Sequence, residues 1–226
     1  MTRCYLVRHA QTAWNGENRI QGHSDTPLSS VGRQQAERLG ARFASHHVRG
    51  IFTSALQRSR QTAAAIAAGN GHGVSPVVEP DLAEIHLGAW EGLTPEEVDA
   101  RFPHAYRQWQ RRPSSVVIPD GEPLAVFRAR ARNTLAKILA GVGDGEYVVV
   151  SHGGVIAAWL ADALGADYDL VIRQLRLDNA GVTALEFGAG PPHVLWVNST
   201  THLDPLSVAS AGAGWTASCG PSSALA

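Results

Sequence analysis

Cysteine is scarce in this chain: Cys4 and Cys219 stand near opposite ends of 226 residues. No CxxC pair or Cys/His ligand spacing is present, which excludes a zinc ribbon and a disulfide framework as readings, and no metal or cofactor is expected. Charge of one sign is also missing. The formal net charge of −1 gives no electrostatic reason to expect a nucleic-acid or anionic-membrane partner. No apolar run approaches the length of a membrane-spanning helix. The segment Arg3 to Val7 follows the N-terminus without the charged stretch and long apolar run of a signal peptide. A GxxxxGK[ST] motif is absent, so nucleotide binding through a P-loop is unsupported. The Gly69-x-Gly71-x-Gly73 cluster follows a helix and precedes a strand, the wrong order for a dinucleotide site. These absences predict a soluble, cytoplasmic protein of one compact domain over residues 1–205. The Ala/Ser/Gly-rich residues 206–226 read as a flexible tail.

The chain alternates strand and helix signals. Apolar runs at 4–7, 50–53, 74–78 and above all 147–150 read as strands, with two later alternating runs at 181–187 and 193–197. Helical spacing covers 31–44, with Ser29 or Ser30 as cap, then a segment opened by Ser54 and stopped by the glycines at 69–73. Further helices are predicted over 124–139 and 155–164. Residues 9–29 read as a long loop, and 82–112 as loop mixed with short helices broken by Pro95 and Pro103. The order predicts an α/β fold of three layers, with a mostly parallel central sheet flanked by helices. Ligands in such sheets bind beyond the carboxyl ends of the strands.

Four polar segments fall at or near those ends: Leu6-Val-Arg-His-Ala10, Ser54-Ala-Leu-Gln-Arg58, Leu82-Ala-Glu84 running on to Gly92, and Val150-Ser-His-Gly-Gly154. A parallel sheet gathers the first, second and fourth at one mouth, with two histidines and two arginines. Guanidinium groups grip a phosphate dianion with a fixed fork of donors. A helix opening at Gly153 or Gly154 offers backbone N–H groups and the positive end of its dipole. Neutral imidazole is a competent nucleophile towards phosphorus, and a carboxylic acid can protonate the departing oxygen. Arg60, one turn-neighbour of Arg58, reads as an ordinary surface cation and serves as its control. Glu91 reads as structural, and Trp14, Trp90 and Trp109 as packing. His46, His47, His72, His104 and His193 read as surface, and His86 shows only a weak signal. Arg107, Arg111 and Arg112 fit an exposed helix face as well as an attraction for acidic substrates.

These motifs, in this order from about residue 4 to residue 203, resemble the histidine phosphatase superfamily, which includes the cofactor-dependent phosphoglycerate mutases. Leu6-Val-Arg-His-Ala-Gln-Thr-Ala-Trp-Asn15 is similar to the family's Arg-His-Gly signature and the Trp-Asn that follows, with Ala10 in place of the glycine. Gln21-Gly-His-Ser-Asp-Thr-Pro-Leu28 resembles a second family stretch. The resemblance implies that His9 is the nucleophile, Glu84 the acid/base and His152 a catalytic partner. It implies phosphate contacts from Arg8, Arg58, Asn15 and Thr12, beside the Gly153 helix start. Gln21, His23 and His202 are candidates for binding the rest of the substrate. The expected activity is metal-independent hydrolysis of small phosphomonoesters through a phosphohistidine, with broad specificity. The expected partner is then a small phosphorylated substrate, and a homodimer, since dimers are common in the family.

Two other readings compete. A phosphoglycerate mutase of this fold carries extra lid sequence after the Glu84-type segment, and the interval here up to Gly121-Glu122 lacks the longer insert. A non-catalytic phosphate-binding protein would be missing at least one pocket residue, and His9, Arg8, Arg58, Glu84 and His152 are all present. Leu87 stands where similar phosphoserine phosphatases carry a histidine, which weighs against phosphoserine as the substrate.

Overall fold

A computed structural model describes residues 1–203; the predicted tail at 206–226 lies outside them. Six strands form one sheet: β1 (Thr2–Arg8), β2 (Val48–Thr53), β3 (Pro76–Val78), β4 (Gly145–Ser151), β5 (Val182–Phe187) and β6 (His193–Ser199), in the order β3-β2-β4-β1-β5-β6. The pairs β3-β2, β2-β4 and β4-β1 are parallel, and β5 runs antiparallel to β1. Between them lie α1 (Ala13–Gly16), α2 (Ser30–Phe43), α3 (Gln57–Asn70), α4 (Pro95–Arg101), α5 (Ala105–Arg111), α6 (Leu124–Ala140), α7 (Gly153–Leu164) and α8 (Tyr168–Gln174).

The three layers follow from the alternation of side chains along the strands. Cys4, Leu6, Tyr147 and Val149 enter one core with Phe127, Ala131, Val155 and Trp159 of α6 and α7. Tyr5, Val7, Val148 and Val150 enter the other with Leu39, Phe43, Ala63 and Ile66 of α2 and α3. Both faces of the central strands are thus buried, which is why they read as continuous apolar runs. The Cys4 thiol is buried and unpaired, and burial pushes it up to about 12.

Several local expectations shift. Ser29 is the cap of α2, accepting the Gly32 N–H. The helix predicted to open at Ser54 begins at Gln57 and runs through Gly69 to Asn70, ending at Gly71 in the left-handed conformation. Gly69 lies inside the helix, where α2 passes too close for a side chain: a Cβ there would strike the Gly40 backbone. The predicted 9–29 loop contains α1, started by a capping box between Thr12 and Asn15. Helix α8, which the periodicity did not reveal, is opened by Asp167 accepting the Leu170 N–H. His46, read as surface, is half-buried, with its Nδ1 3.2 Å from both the Tyr5 hydroxyl and a Glu146 carboxylate oxygen.

Candidate active site

The parallel register sets Arg8 beside Ser151 and Thr53 beside Val150, so the chain leaves β1, β2 and β4 at one common edge. His9 follows β1 and is 4% exposed. Its backbone N–H donates to the Ser151 carbonyl at 2.9 Å, which ties the ends of β1 and β4 together. The His9 Nδ1 lies 2.8 Å from the Ala10 carbonyl oxygen. A carbonyl only accepts, so Nδ1 carries the proton and the lone pair sits on Nε2. Burial, reinforced by the Arg58 and Arg8 charges, holds this imidazole well below its ordinary value, so the ring is neutral at neutral pH.

Arg8 and Arg58 are 4% and 1% exposed. Arg8 donates to the Leu177 carbonyl. Arg58, in the first turn of α3, donates to the Ser24 and Gly22 carbonyls at 2.8 and 2.7 Å. Burial lowers the Arg58 guanidinium to about 10, still charged at neutral pH. Among the described residues neither arginine forms an ion pair with a carboxylate. Burial lowers both guanidiniums and outweighs the carboxylates that act on them from a distance, Glu84 on both, Asp178 on Arg8 and Asp25 on Arg58. Buried cations without a direct ion pair are costly, and among the described residues their Nε atoms have no hydrogen-bond partner. Arg60, by contrast, is exposed.

Glu84 follows the 3₁₀ turn Pro80–Leu82 and is 5% exposed. One carboxylate oxygen accepts the Ile85 N–H and the other the Gly154 N–H, each at 3.0 Å. The second glycine of α7 is therefore spent on Glu84, and a Cβ at 154 would collide with that carboxylate. Backbone groups around Glu84 are held in turn: its carbonyl oxygen lies 2.7 Å from His23 Nε2 and accepts from Arg130 at 3.1 Å. His152 is the cap residue of α7 and is buried. Its Nε2 lies 2.8 Å from the Ser54 Oγ, its Nδ1 has no partner, and its ring centroid is 5.2 Å from that of His9. Burial, then Arg58, holds His152 well below its ordinary value too.

A cavity of about 950 Å³, counting space open to solvent, runs outward from this cluster. Arg8, His9, Asn15, Gln21, Arg58 and Glu84 line it. Thr12, His23, His152 and His202 are not among its lining residues. Thr12 is fully buried, and its hydroxyl caps α1 and lies 3.0 Å from Gln21 Oε1. The hydroxyl is thus committed to the loop that carries Asn15, not presented to a ligand. Asn15 uses its Oδ1 on the Thr12 N–H and on Asn179. Gly153 opens α7 as predicted. His202 lies in the last 3₁₀ turn, Thr201–Leu203, where burial and then Arg42 lower it to about 4.

Some of the cavity was not foreseen. Trp90 and Trp109, read as packing, are buried but line it, their rings 5.8 Å apart in an edge-to-face contact. Trp14 and Tyr106 complete an aromatic wall, and Arg173 of α8 stands in the lining as well. Asn179 donates to the His9 carbonyl at 3.1 Å and to Asn15 at 3.2 Å, joining the two. Its only signal in the sequence is the turn-forming run Asp178-Asn-Ala-Gly181. Glu91 is structural as predicted: it accepts the His23, Ser24 and Leu87 N–H groups and so pins the 22–24 loop. Arg107 and Arg112 pair with Asp99 and Asp169 and, like Arg111, do not line the cavity.

Among the described residues no cluster of histidine, cysteine or carboxylate side chains could hold a metal ion. None of their helices is long and apolar enough to cross a membrane. The chain is 33% identical to the "Probable phosphoglycerate mutase GpmB" of Yersinia enterocolitica, over 90% of this chain and 96% of that one. It is 32% identical to phosphoserine phosphatase 1 of Hydrogenobacter thermophilus, over 92% and 97%. The solved structure of Bacillus stearothermophilus YhfR superposes with a TM-score of 0.84 at 31% identity, covering 90% of this chain and all of that one. The profile of the histidine phosphatase superfamily (branch 1) matches residues 4–200. With the histidine, two arginines and carboxylate of that signature gathered at one sheet edge, the chain belongs to the histidine phosphatase superfamily.

Proposed function

We propose that this protein hydrolyses small phosphomonoesters through a phosphohistidine formed on His9. The observation that carries the reading is the pair of buried arginines without a carboxylate partner beside a neutral, tautomerically fixed imidazole. A bound phosphate dianion supplies the direct ion pairs that the two guanidiniums do not make with the protein's own carboxylates, and its oxygens meet their N–H groups. The His9 Nε2 lone pair attacks phosphorus while the P–O bond to the alcohol breaks. Glu84 acts as the general acid in this step, giving a proton to the departing oxygen. In the second step the Glu84 carboxylate takes a proton from water, whose oxygen attacks phosphorus, and the P–N bond breaks to regenerate neutral His9. The Ile85 and Gly154 N–H groups orient the carboxylate for both transfers. The unpartnered Nδ1 of His152 supports a role as donor to the transferring phosphoryl group.

Hydrolysis is favoured over mutase chemistry by the short interval between Glu84 and Gly121-Glu122, which lacks the longer insert that covers the site in mutases of this family. The cavity's aromatic wall and Leu87 support broad acceptance of the alcohol portion rather than a tailored amino-acid site. The reading takes residues 1–205 as the single catalytic domain of a cytoplasmic homodimer, which cell fractionation and light scattering check. The central test is phosphate release from a panel of phosphomonoesters under EDTA. Wild type is expected to turn over and to trap a radiolabelled, acid-labile phosphoenzyme. His9→Ala is expected to lose both, with turnover down by about 10⁴-fold or more. Turnover by His9→Ala close to wild type would refute the nucleophile assignment, and interconversion of the phosphoglycerates without phosphate release would establish the mutase.

A further inference from the structure

Four arginines line the cavity: Arg8, Arg58, Arg19 and Arg173. The first two belong to the phosphate site described above. Arg19 is already neutralised, with its guanidinium 3.0 Å from Glu17 and 3.1 Å from Glu97. Arg173 differs from all three. It is exposed, and its Nε donates to the Asp169 backbone carbonyl at 2.8 Å, one turn back on α8. That bond restricts the side chain, and among the described residues neither terminal nitrogen has a hydrogen-bond partner. The carboxylate nearest along the helix, that of Asp169, is already engaged by the Ser114 N–H and hydroxyl and by Arg112. Among the described residues Arg173 pairs with no carboxylate. A tethered guanidinium whose two N–H₂ groups are free among the described residues, in a cavity whose half-buried Arg19 is compensated, presents a binding site for an anion.

We propose that Arg173 is a specificity-determining residue, which recognises a second anionic group carried by the alcohol portion of the substrate. Carboxylate and phosphate share the geometry that a guanidinium fork fits. The preferred substrates are then phosphomonoesters that bear such a group in addition to the reacting phosphate. The proposal rests on the reading of Arg8 and Arg58 as the reacting phosphate's site.

Binding separates this role from catalysis. Phenylphosphonate, meta- and para-carboxyphenylphosphonate and their carboxymethyl analogues are not hydrolysed, and the cavity tryptophans report their binding by fluorescence. Wild type is expected to bind at least one of the carboxylated ligands about two- to fivefold more tightly than phenylphosphonate, the range for a solvent-exposed ion pair. That ratio should shrink as ionic strength rises. Arg173→Met should bring it to one while leaving the affinity for phenylphosphonate unchanged. Arg111→Met, which removes the same charge from an exposed site off the cavity, should preserve it. No carboxylate preference in wild type, or a preference that survives Arg173→Met, overturns the proposal. The matching phosphate esters are assayed alongside. Turnover without a preference removes the role of Arg173 and leaves the hydrolase reading standing. A preference without turnover keeps Arg173 as an anion-binding residue and removes the hydrolase reading.

Discussion

Arg58 and Arg60 lie two positions apart on one helix and have opposite fates. Arg58 is 1% exposed and holds the Gly22 and Ser24 carbonyls, whereas Arg60 faces solvent. Burial disfavours the Arg58 charge more than the surrounding carboxylates favour it, so an anion that fills the site should stabilise the protein by mass action. At about a hundred times its dissociation constant a ligand adds roughly 2.7 kcal/mol. For a chain of this size that corresponds to a rise in melting temperature of about 5–10 °C. Thermal scans with saturating orthophosphate or vanadate are therefore expected to show this rise in wild type and in Arg60→Met, and little of it in Arg58→Met. An equal rise in Arg58→Met would mean that the anion binds elsewhere. At this scale the candidate residues were legible by combination: His9 alone reads as a structural histidine, and Arg8 beside it with the other three segments in order changes that reading, while Ser-His-Gly-Gly after a buried strand has little structural need for its histidine. Thr12 was the harder case. A threonine followed three positions on by asparagine fits a pocket lining and a helix cap equally well, and the cap is what the hydroxyl is used for.

Among the elements, α2 and α3 approach backbone to backbone, and glycines permit it. A Cβ on Gly40 would lie 2.6 Å from the Ala65 carbonyl oxygen, a backbone atom that cannot move aside without displacing α3. In an exposed helix interior, glycine to alanine gains roughly 1 kcal/mol from backbone entropy. At Gly40 the overlap should outweigh that gain, and Gly40→Ala is expected to destabilise by about 1–3 kcal/mol, the usual cost of overpacking. Gly16→Ala, at the end of α1 with nothing within 4 Å of the new methyl, is the contrasting case and should be neutral or slightly stabilising. Urea midpoints of the two variants decide it, and a stabilised Gly40→Ala would show that the helices are free to separate. The elements that escaped the sequence reading are the short ones. Helix α8 has two turns and an apolar run too brief to separate helix from strand by period, and its Asp167 cap was the one available sign. The aromatic wall was hidden for a different reason: it is assembled by α1, a 3₁₀ turn and α5, whose packing is non-local.

Over the whole molecule, the histidines couple folding to pH. Burial lowers His9, His152 and His202, the last to about 4 from an ordinary 6.5. Below 6.5 the unfolded chain takes up a proton at each of these rings that the folded chain refuses. The unfolded state therefore binds more protons, and stability falls as the pH drops from 6.5. The slope is at most about 1.4 kcal/mol per pH unit for each fully buried ring. The carboxylates held low by partners, such as Asp144 and Glu146, act in the same direction but only nearer their own ordinary range around 4. The interval from 6.5 to about 5 thus belongs to the histidines. His202 can be isolated within it because it lies off the cavity, in the last described turn, where Arg42 adds to the effect of burial. The urea midpoint of wild type is expected to fall across this interval more steeply than that of His202→Gln, so the two curves converge as acid is added. Turnover measured at neutral pH should be unchanged by the substitution. Parallel curves would mean that His202 is as easily protonated in the folded protein as in the unfolded chain, which would place it in water rather than against Arg42.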